Sequence, residues 1–553
     1  MTENFLTYYE KSFKENWDLP ALSDYKGGTL HYKDVARRIA KLHILFKECG
    51  IEKGDKIAIC GRNQSNWGVV FFAVLTYGAV MVPILHEFKA DNIHNIVNHS
   101  DSRVLFVGDV VWESLNERAM PELEAIVQIN DFTILHCRRP VIRESRERLN
   151  ELFGKKYPKN FRPEHIAYHR DQPEELAIIN YTSGTTGFSK GVMLPYRSLK
   201  ANLEFASKVL PEYKAGDELV AMLPMAHMYG MMFEFIFGLS LGAHMHFLTR
   251  MPTPKIIMEA FADVKPELII SVPLIIEKIY KKQLQPILNK TSIKVLLKLP
   301  VIEQQIRKKI FNTLNKAFGD NFLVIVLGGA ALNHEAEAFF KKIGFRYTVG
   351  YGMTECAPLI TYEDWSKIPL YSCGKAITDT QLKIDSPEPT TIPGEILVKG
   401  DNVMLGYYRN EEATKNAFTE DGWMRTGDLA LMDKNGYVYI KGRNKSMILS
   451  SSGQNIYPEE VESVINNMPY VTESLVVESE GKLTALIYPD LDLANAEGLS
   501  PEDIKQKMDE VRVKVNEELP NYSQIARIKI MPEEFEKTPK KSIKRFMYQT
   551  AGA

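Results

Sequence analysis

The chain has 553 residues, 45% of them apolar and 25% charged, which are ordinary globular proportions and exclude a disordered, fibrous or disulfide-scaffold protein. At about 150 residues per domain, roughly three or four domain-sized units are expected. Lysine plus arginine is 68 against 70 acidic residues, a formal net charge of −2, so no global basic excess exists to drive nucleic-acid binding.

The chain starts with an acid at Glu3 and no apolar run behind a basic cluster, so no signal peptide is expected there. Residues 30–50 read as an amphipathic helix leading through a Gly-Asp-Lys turn into the strand-like KIAIC. Trp67 to Leu85 carries no charge over 19 residues, long enough to suggest a membrane span. Thr76, Tyr77, Gly78 and Pro83 interrupt it, so it reads as a buried helix ending near Gly78 followed by a core strand. Further on, LIISV and FLVIVLGG are short β-branched runs ending at turn or glycine signals. Strands alternating with helices predict layered α/β structure with a largely parallel sheet. Asn333 to Lys342 reads as a helix with an asparagine cap and Gly344 just past its end. From about Lys445 the pattern changes to a smaller unit, PEEVESVINN followed by the strand-like SLVVES and LTALIYP, which predicts domains over 1–444 and 445–553. Five scattered cysteines without a CxxC pair fit buried thiols of a cytoplasmic protein.

Chemistry concentrates first in Tyr181-Thr-Ser-Gly-Thr-Thr-Gly-Phe-Ser-Lys-Gly191. Small hydroxyl residues and glycines let backbone N–H groups approach an anion, and Lys190 adds positive charge, the requirements of a polyphosphate cradle. The segment is not the GxxxxGK[ST] loop, because Gly191 follows Lys190 and no Ser or Thr is placed there to hold magnesium. On composition alone, a Gly/Ser-rich surface turn explains it as well.

YTSGTTGFSKG resembles the phosphate-loop signature of the acyl-adenylate-forming superfamily, and five more of that family's motifs follow in order. They are Leu223-Pro-Met-Ala-His-Met-Tyr-Gly230, Leu327-Gly-Gly-Ala-Ala-Leu332, Tyr351-Gly-Met-Thr-Glu355, the pair Arg425-Thr-Gly-Asp428 and Lys441-Gly-Arg443, and Gly453-Gln-Asn-Ile-Tyr-Pro-Glu-Glu-Val-Glu462. The resemblance implies a large N-terminal domain of layered α/β subdomains with a distorted β-barrel part, plus a small mobile α+β C-terminal domain. It implies that Thr182, Ser183, Gly184, Thr185, Thr186, Gly187 and Lys190 take the phosphates of ATP, and that Gly329, Ala330, Tyr351 and Gly352 form the adenine site. Asp428 and Arg443 would hold the ribose; a carboxylate suits a diol because it accepts two hydrogen bonds. Glu355, beside Thr354, would be the hard oxygen ligand for Mg2+, His227 would face the acid substrate, and Lys445 would be the hinge. Taken singly, each residue also has an ordinary reading: a solvated acid, a core tyrosine, a satisfied core histidine.

The implied chemistry has two steps. A carboxylate is a poor acyl electrophile, so it first attacks the α-phosphorus of ATP, and the CoA thiol then displaces AMP. The family's catalytic lysine lies in a C-terminal T-P-x-G-K pattern, but this chain reads Thr538-Pro-Lys-Lys-Ser-Ile-Lys-Arg545, with Ser542 at the lysine position. Lys540, Lys541 and Lys544 surround it, and Lys541 is taken as the replacement.

The Met- and Phe-rich stretch 223–247 resembles the long-chain fatty acid–CoA ligases in this family, as does SVPLIIEKIYKK with the basic amphipathic run after it. That run, IKVLLKLPVIEQQIRKKIF, suits either peripheral contact with an anionic inner membrane surface or packing on its own protein. No acid sits near residue 227 to hold a substrate amine; Glu234 lies seven residues on. The expected partners are therefore a medium- or long-chain fatty acid, ATP and CoA, with no nucleic acid; the oligomeric state is left open. Two alternatives stay open: delivery of the acyl group to a carrier-protein thiol, and a silent acyl/ATP-binding protein, as Ser542 suggests.

Overall fold

The computed structural model describes residues 3–182, 190–250, 252–280, 284, 288, 300–449, 454–479, 481–538 and 543–548. Two large sheets dominate the first 450 residues. One has eight strands, in the order Gly406–Tyr407, Lys190–Pro195, Leu176–Thr182, Val80–Ile84, Lys56–Cys60, Ser102–Val107, Ala125–Gln128, Ile134–Cys137. The other has seven, in the order Tyr347–Val349, Val324–Leu327, Leu268–Ser271, Glu218–Ala221, His244–Phe247, Pro20–Asp24, Thr29–His31. Pairings in the middle of both sheets are parallel and antiparallel ones lie toward the edges. Helices between the parallel strands supply the crossovers such a sheet requires.

The uncharged stretch 67–85 resolves as expected. Helix Ser65–Tyr77 is buried from Ser65 to Thr76 and ends at Gly78, whose φ of 89° favours a residue without a side chain. Strand Val80–Ile84 follows, buried throughout. A helix apolar on every side has no face for water. Its Trp67, Phe71 and Phe72 rings pack on Phe235 of the segment after residue 227, so helices from distant parts of the chain share one core. Among the described residues, no helix is long and apolar enough to cross a membrane. Helix His334–Ile343 also matches its sequence signals, with the Asn333 side chain accepting from Ala336 N–H and Gly344 at φ 70°.

Residues 351–443 add a three-stranded antiparallel sheet (Tyr351–Gly352, Leu359–Tyr362, Lys375–Ala376) and a four-stranded one (Thr380–Asp385, Gly394–Gly400, Met424–Met432, Val438–Arg443). Beyond residue 454, helices Pro458–Ile465 and Pro501–Glu518 pack on strands Val471–Ser479, Lys482–Pro489 and Arg527–Ile530. Among the described residues the hydrophobic clusters of this small lobe, which start at Ile448, share no member with the large cluster, which ends at Ile440. Side-chain bonds between the lobes include Lys441 Nζ to Glu460 Oε1 at 2.8 Å and Asn333 to Asn467.

Helix Pro300–Ala317 is the described part of the basic amphipathic run. Phe311 and Leu314 face the protein, while Lys308, Lys309 and Lys316 are exposed. Its apolar side packs on helices Pro254–Val264 and His334–Ile343, the second of the two expectations for this segment.

Candidate active site

The C-terminal ends of strands from both sheets converge on one cleft of about 3200 Å³. Asn63 follows Lys56–Cys60, Thr182 ends its strand, Leu223 follows Glu218–Ala221, Gly328 follows Val324–Leu327 and Tyr351 follows Tyr347–Val349; all five line it. Open α/β sheets bind ligands outside the carboxyl ends of their strands.

The expected site residues gather here from six separate segments. Thr182, His227, Gly329, Ala330, Tyr351, Gly352, Thr354, Glu355, Asp428, Arg443 and Lys445 all line this cleft. Lys190 does not; its Nζ sits over the Tyr407 ring, 4.8 Å from the centroid. Thr182 and Lys190 are paired across adjacent antiparallel strands. Ser183, Gly184, Thr185, Thr186, Gly187 and Gly453 lie outside the described residues, as do Lys540, Lys541 and Ser542. Their described neighbours Thr538 and Ile543 line the cleft.

The turn from Tyr351 to Pro358 is tightly determined. Met353 N–H donates to Pro358 O at 2.8 Å, and a Cβ on Gly352 would lie 2.0 Å from the same oxygen, so only glycine fits. Asn202 holds the far side, donating to Cys356 O and accepting from Leu359 N–H, both at 3.0 Å. Glu355 is thereby buried at the cleft wall with Oε1 accepting from Tyr407 O–H at 2.9 Å. Tyr407 thus joins the Glu355 carboxylate to the Lys190 ammonium.

Asp428 receives Tyr351 O–H at 2.7 Å on Oδ2 and faces Arg443 Nε at 3.3 Å on Oδ1. Burial pushes the Asp428 carboxyl above its ordinary value, against the pull of Arg443 and Tyr351. Burial, then the neighbouring Asp428, also raises the Tyr351 hydroxyl, so it stays a proton donor. Gly329 has φ 84°, and a Cβ on the preceding Gly328 would press on the Tyr229 ring at 3.0 Å, while Tyr229 O–H donates to Val326 O at 3.1 Å.

Segment 222–227 is suspended by polar side chains from three other elements. Asn63 donates to Leu223 O at 2.7 Å and accepts from Met225 N–H at 2.9 Å, and Asn180 donates to Ala226 O at 3.0 Å. Glu234 accepts from Met222 and Leu223 N–H at 3.1 Å. Glu234 lies in a π-helical stretch, Met231–Ile236, and burial drives its carboxyl well above the usual range. His227 caps the helix start, its Nδ1 accepting from Tyr229 N–H at 3.3 Å, which in the neutral ring leaves the proton on Nε2. The same cleft is lined by the apolar side chains of Phe205, Val209, Phe233, Phe237, Leu248 and Ile270.

Of the residues that shape this site, Tyr407, Asn63, Asn180 and Asn202 were not singled out from sequence. Tyr407 alone had a local signal, the MLGYYRN run between two strand-like segments.

A family model described as AMP-binding enzyme matches residues 9–408, and one described as AMP-binding enzyme C-terminal domain matches residues 445–550. The long-chain-fatty-acid–CoA ligase FadD15 of Mycobacterium bovis is 27% identical over 470 residues, covering 80% of this chain and 74% of its own length. ATP-bound MatB from Rhodopseudomonas palustris has a similar fold, with a TM-score of 0.77 at 21% identity over 100% of both chains. The O-succinylbenzoate coenzyme A synthetase MenE from Bacillus subtilis, in complex with ATP and a magnesium ion, gives a TM-score of 0.73 at 20% identity over 98% of both.

Proposed function

We propose, for a chain that belongs to the AMP-binding enzyme family, that it is an AMP-forming ligase joining a medium- or long-chain fatty acid to CoA. The acid's carboxylate attacks the α-phosphorus of ATP, pyrophosphate leaves, and the CoA thiol then attacks the acyl carbon and releases AMP. The observation that carries this reading is continuity: the nucleotide motifs, His227 and apolar side chains such as Phe205, Phe233 and Phe237 border one cleft. The long-chain ligase names of relatives such as FadD15 support the choice of substrate.

In this reading the segment Thr182–Gly187 and Lys190 cradle the phosphates, Gly329, Ala330, Tyr351 and Gly352 hold adenine, and Asp428 with Arg443 takes the ribose. Asp428 already accepts one hydroxyl, from Tyr351, which a ribose hydroxyl would replace or share. Glu355 and Thr354 would hold magnesium, and a buried carboxylate beside a hydroxyl fits a hard cation. Bound magnesium supplies neutralisation of the phosphate charge. His227 directs its Nε2 proton to the substrate carboxylate, and Lys541 stabilises the transition state in the first step. Lys445 is the hinge between domains 1–444 and 445–553. The protein works in the cytoplasm, and helix Pro300–Ala317 meets anionic membrane through charge, since its apolar side is already packed.

Fatty-acid-dependent ATP–pyrophosphate exchange without CoA, over a ladder of chain lengths with aromatic and amino acids as controls, tests the reading. Exchange peaking at medium or long acids supports it. The second reading, a silent binder, follows from Ser542, and ATP binding without exchange for any acid would establish it instead.

A further inference from the structure

Glu218, His244 and His246 form a cluster outside the cleft; none of the three lines it. They sit on adjacent parallel strands in which Glu218 pairs with His244 and Val220 with His246. Residues two apart on a strand share a face, so both imidazoles stand on one side of the sheet, their centroids 4.1 Å apart. Their nitrogens meet at a single oxygen: His244 Nδ1 lies 2.9 Å and His246 Nε2 2.6 Å from Glu218 Oε2.

A hydrogen-bonded trio could look like this without any ion. Two further features point to a ligand. The second nitrogen of His244, Nε2, is 2.8 Å from Ser23 Oγ, which in turn bonds Thr29 Oγ1 at 2.7 Å. An outer hydroxyl of this kind fixes the tautomer of a metal-bound imidazole and orients its ring. The Glu218 side chain is 34% exposed while His244 is 10% exposed, so the donor set is preformed yet open to solvent on one side. That leaves a fourth position for water, the pattern of three-ligand sites.

We propose that Glu218, His244 through Nδ1 and His246 through Nε2 bind one divalent transition-metal ion, with Zn2+ as the probe. Two imidazoles and a carboxylate suit a borderline ion, whereas magnesium prefers oxygen donors only. Bond lengths of about 2.0–2.1 Å in a tetrahedron place ligand atoms about 3.3 Å apart. The present nitrogen–oxygen separations of 2.9 and 2.6 Å would have to open by about 0.4 and 0.7 Å. Binding needs both coordinating nitrogens unprotonated, so any proton that either one donates to Glu218 Oε2 moves to the other nitrogen of its ring or leaves to solvent. The ion would staple strands Glu218–Ala221 and His244–Phe247, and through Ser23 strand Pro20–Asp24, at the end of the sheet opposite the cleft.

The test uses the intact chain, stripped with a chelator and titrated with Zn2+ in the absence of nucleotide. One equivalent should be retained through gel filtration, His246→Asn should lose it, and Ser23→Ala should weaken affinity about 10–100-fold. Cobalt loading of the unaltered chain should give the visible bands of a four-coordinate nitrogen/oxygen site. Less than a tenth of an equivalent of zinc in the unaltered chain, or full retention in His246→Asn, would overturn the proposal. So would a thiolate-to-cobalt charge-transfer band, which would place the ion on cysteines. The cobalt spectrum decides the matter even if the His246 variant fails to fold.

Discussion

Replacing Glu337 by glutamine should make the protein more stable at neutral and alkaline pH and leave it unchanged in acid. Glu337 is on helix His334–Ile343, 4% exposed, with Oε1 accepting Tyr371 N–H at 2.8 Å. Burial raises its carboxyl to about 7, outweighing the opposing pulls of the Tyr371 N–H and Lys341. In the unfolded chain the group titrates near its ordinary value of 4.5. Below that value both states carry the proton and the site costs nothing. Between about 4.5 and 7 the folded state binds more protons than the unfolded one, so stability falls as pH rises. Two and a half units at about 1.4 kcal/mol each make the cost about 3 kcal/mol above pH 7. Glutamine keeps an oxygen for Tyr371 N–H and cannot ionise. For a unit the size of the large lobe, whose core runs from Phe5 to Ile440, unfolding entropy of about 0.9 kcal/mol per degree converts this to about 3–4 °C. Melting of Glu337→Gln and the parent, followed side by side from pH 4.5 to 8.5, should show a gap that opens across that window. A gap independent of pH, or one that closes as pH rises, would refute the assignment of a buried, desolvated carboxyl.

Gly352→Ala should lower pyrophosphate exchange by more than tenfold with the small lobe still folded, because its Cβ would overlap Pro358 O; exchange assays beside circular dichroism check this. Tyr407→Phe removes a hydrogen bond to the Glu355 carboxylate worth about 1.5–3 kcal/mol. It should raise the magnesium concentration for half-maximal exchange about tenfold or more, read from a magnesium titration. Among the C-terminal lysines, Lys541→Ala should cut exchange by about 10²–10³-fold, the loss of one transition-state donor. Lys544→Ala should cost little, since its ammonium is already engaged by Glu536. Binding to anionic vesicles, measured by sedimentation, should fall as salt screens Lys308, Lys309 and Lys316.

What the sequence revealed was what local rules determine. The helix stops at Gly78 and Gly344 were legible because a left-handed residue after an apolar run is a short-range signal. Motif glycines such as Gly329 and Gly352 were legible because their backbone positions demand glycine, whereas Thr182, Lys190, Asp428 and Arg443 lie in strands and were legible only through the motifs around them. Long-range partners were invisible. Asn63 holds Met225 across 162 residues and Asn202 holds Cys356 across 154, and no spacing rule spans such gaps. The His244-x-His246 pattern was visible, but its meaning depends on Glu218 in a neighbouring strand, which only sheet register supplies. The direction of the basic helix also depended on tertiary packing: periodicity showed two faces without showing which one met protein.

The contact between the two lobes has a consequence for motion. An oily seam would weld them, since parting it would wet apolar surface at roughly 25 cal/mol per Å². Here each lobe closes its own core, and Lys441–Glu460 and Asn333–Asn467 lie between them. Water can replace such partners almost one for one, and a surface ion pair of this type contributes only about 0–1 kcal/mol. Parting the lobes would therefore wet little of either core, and the named bonds between them are ones that water can remake.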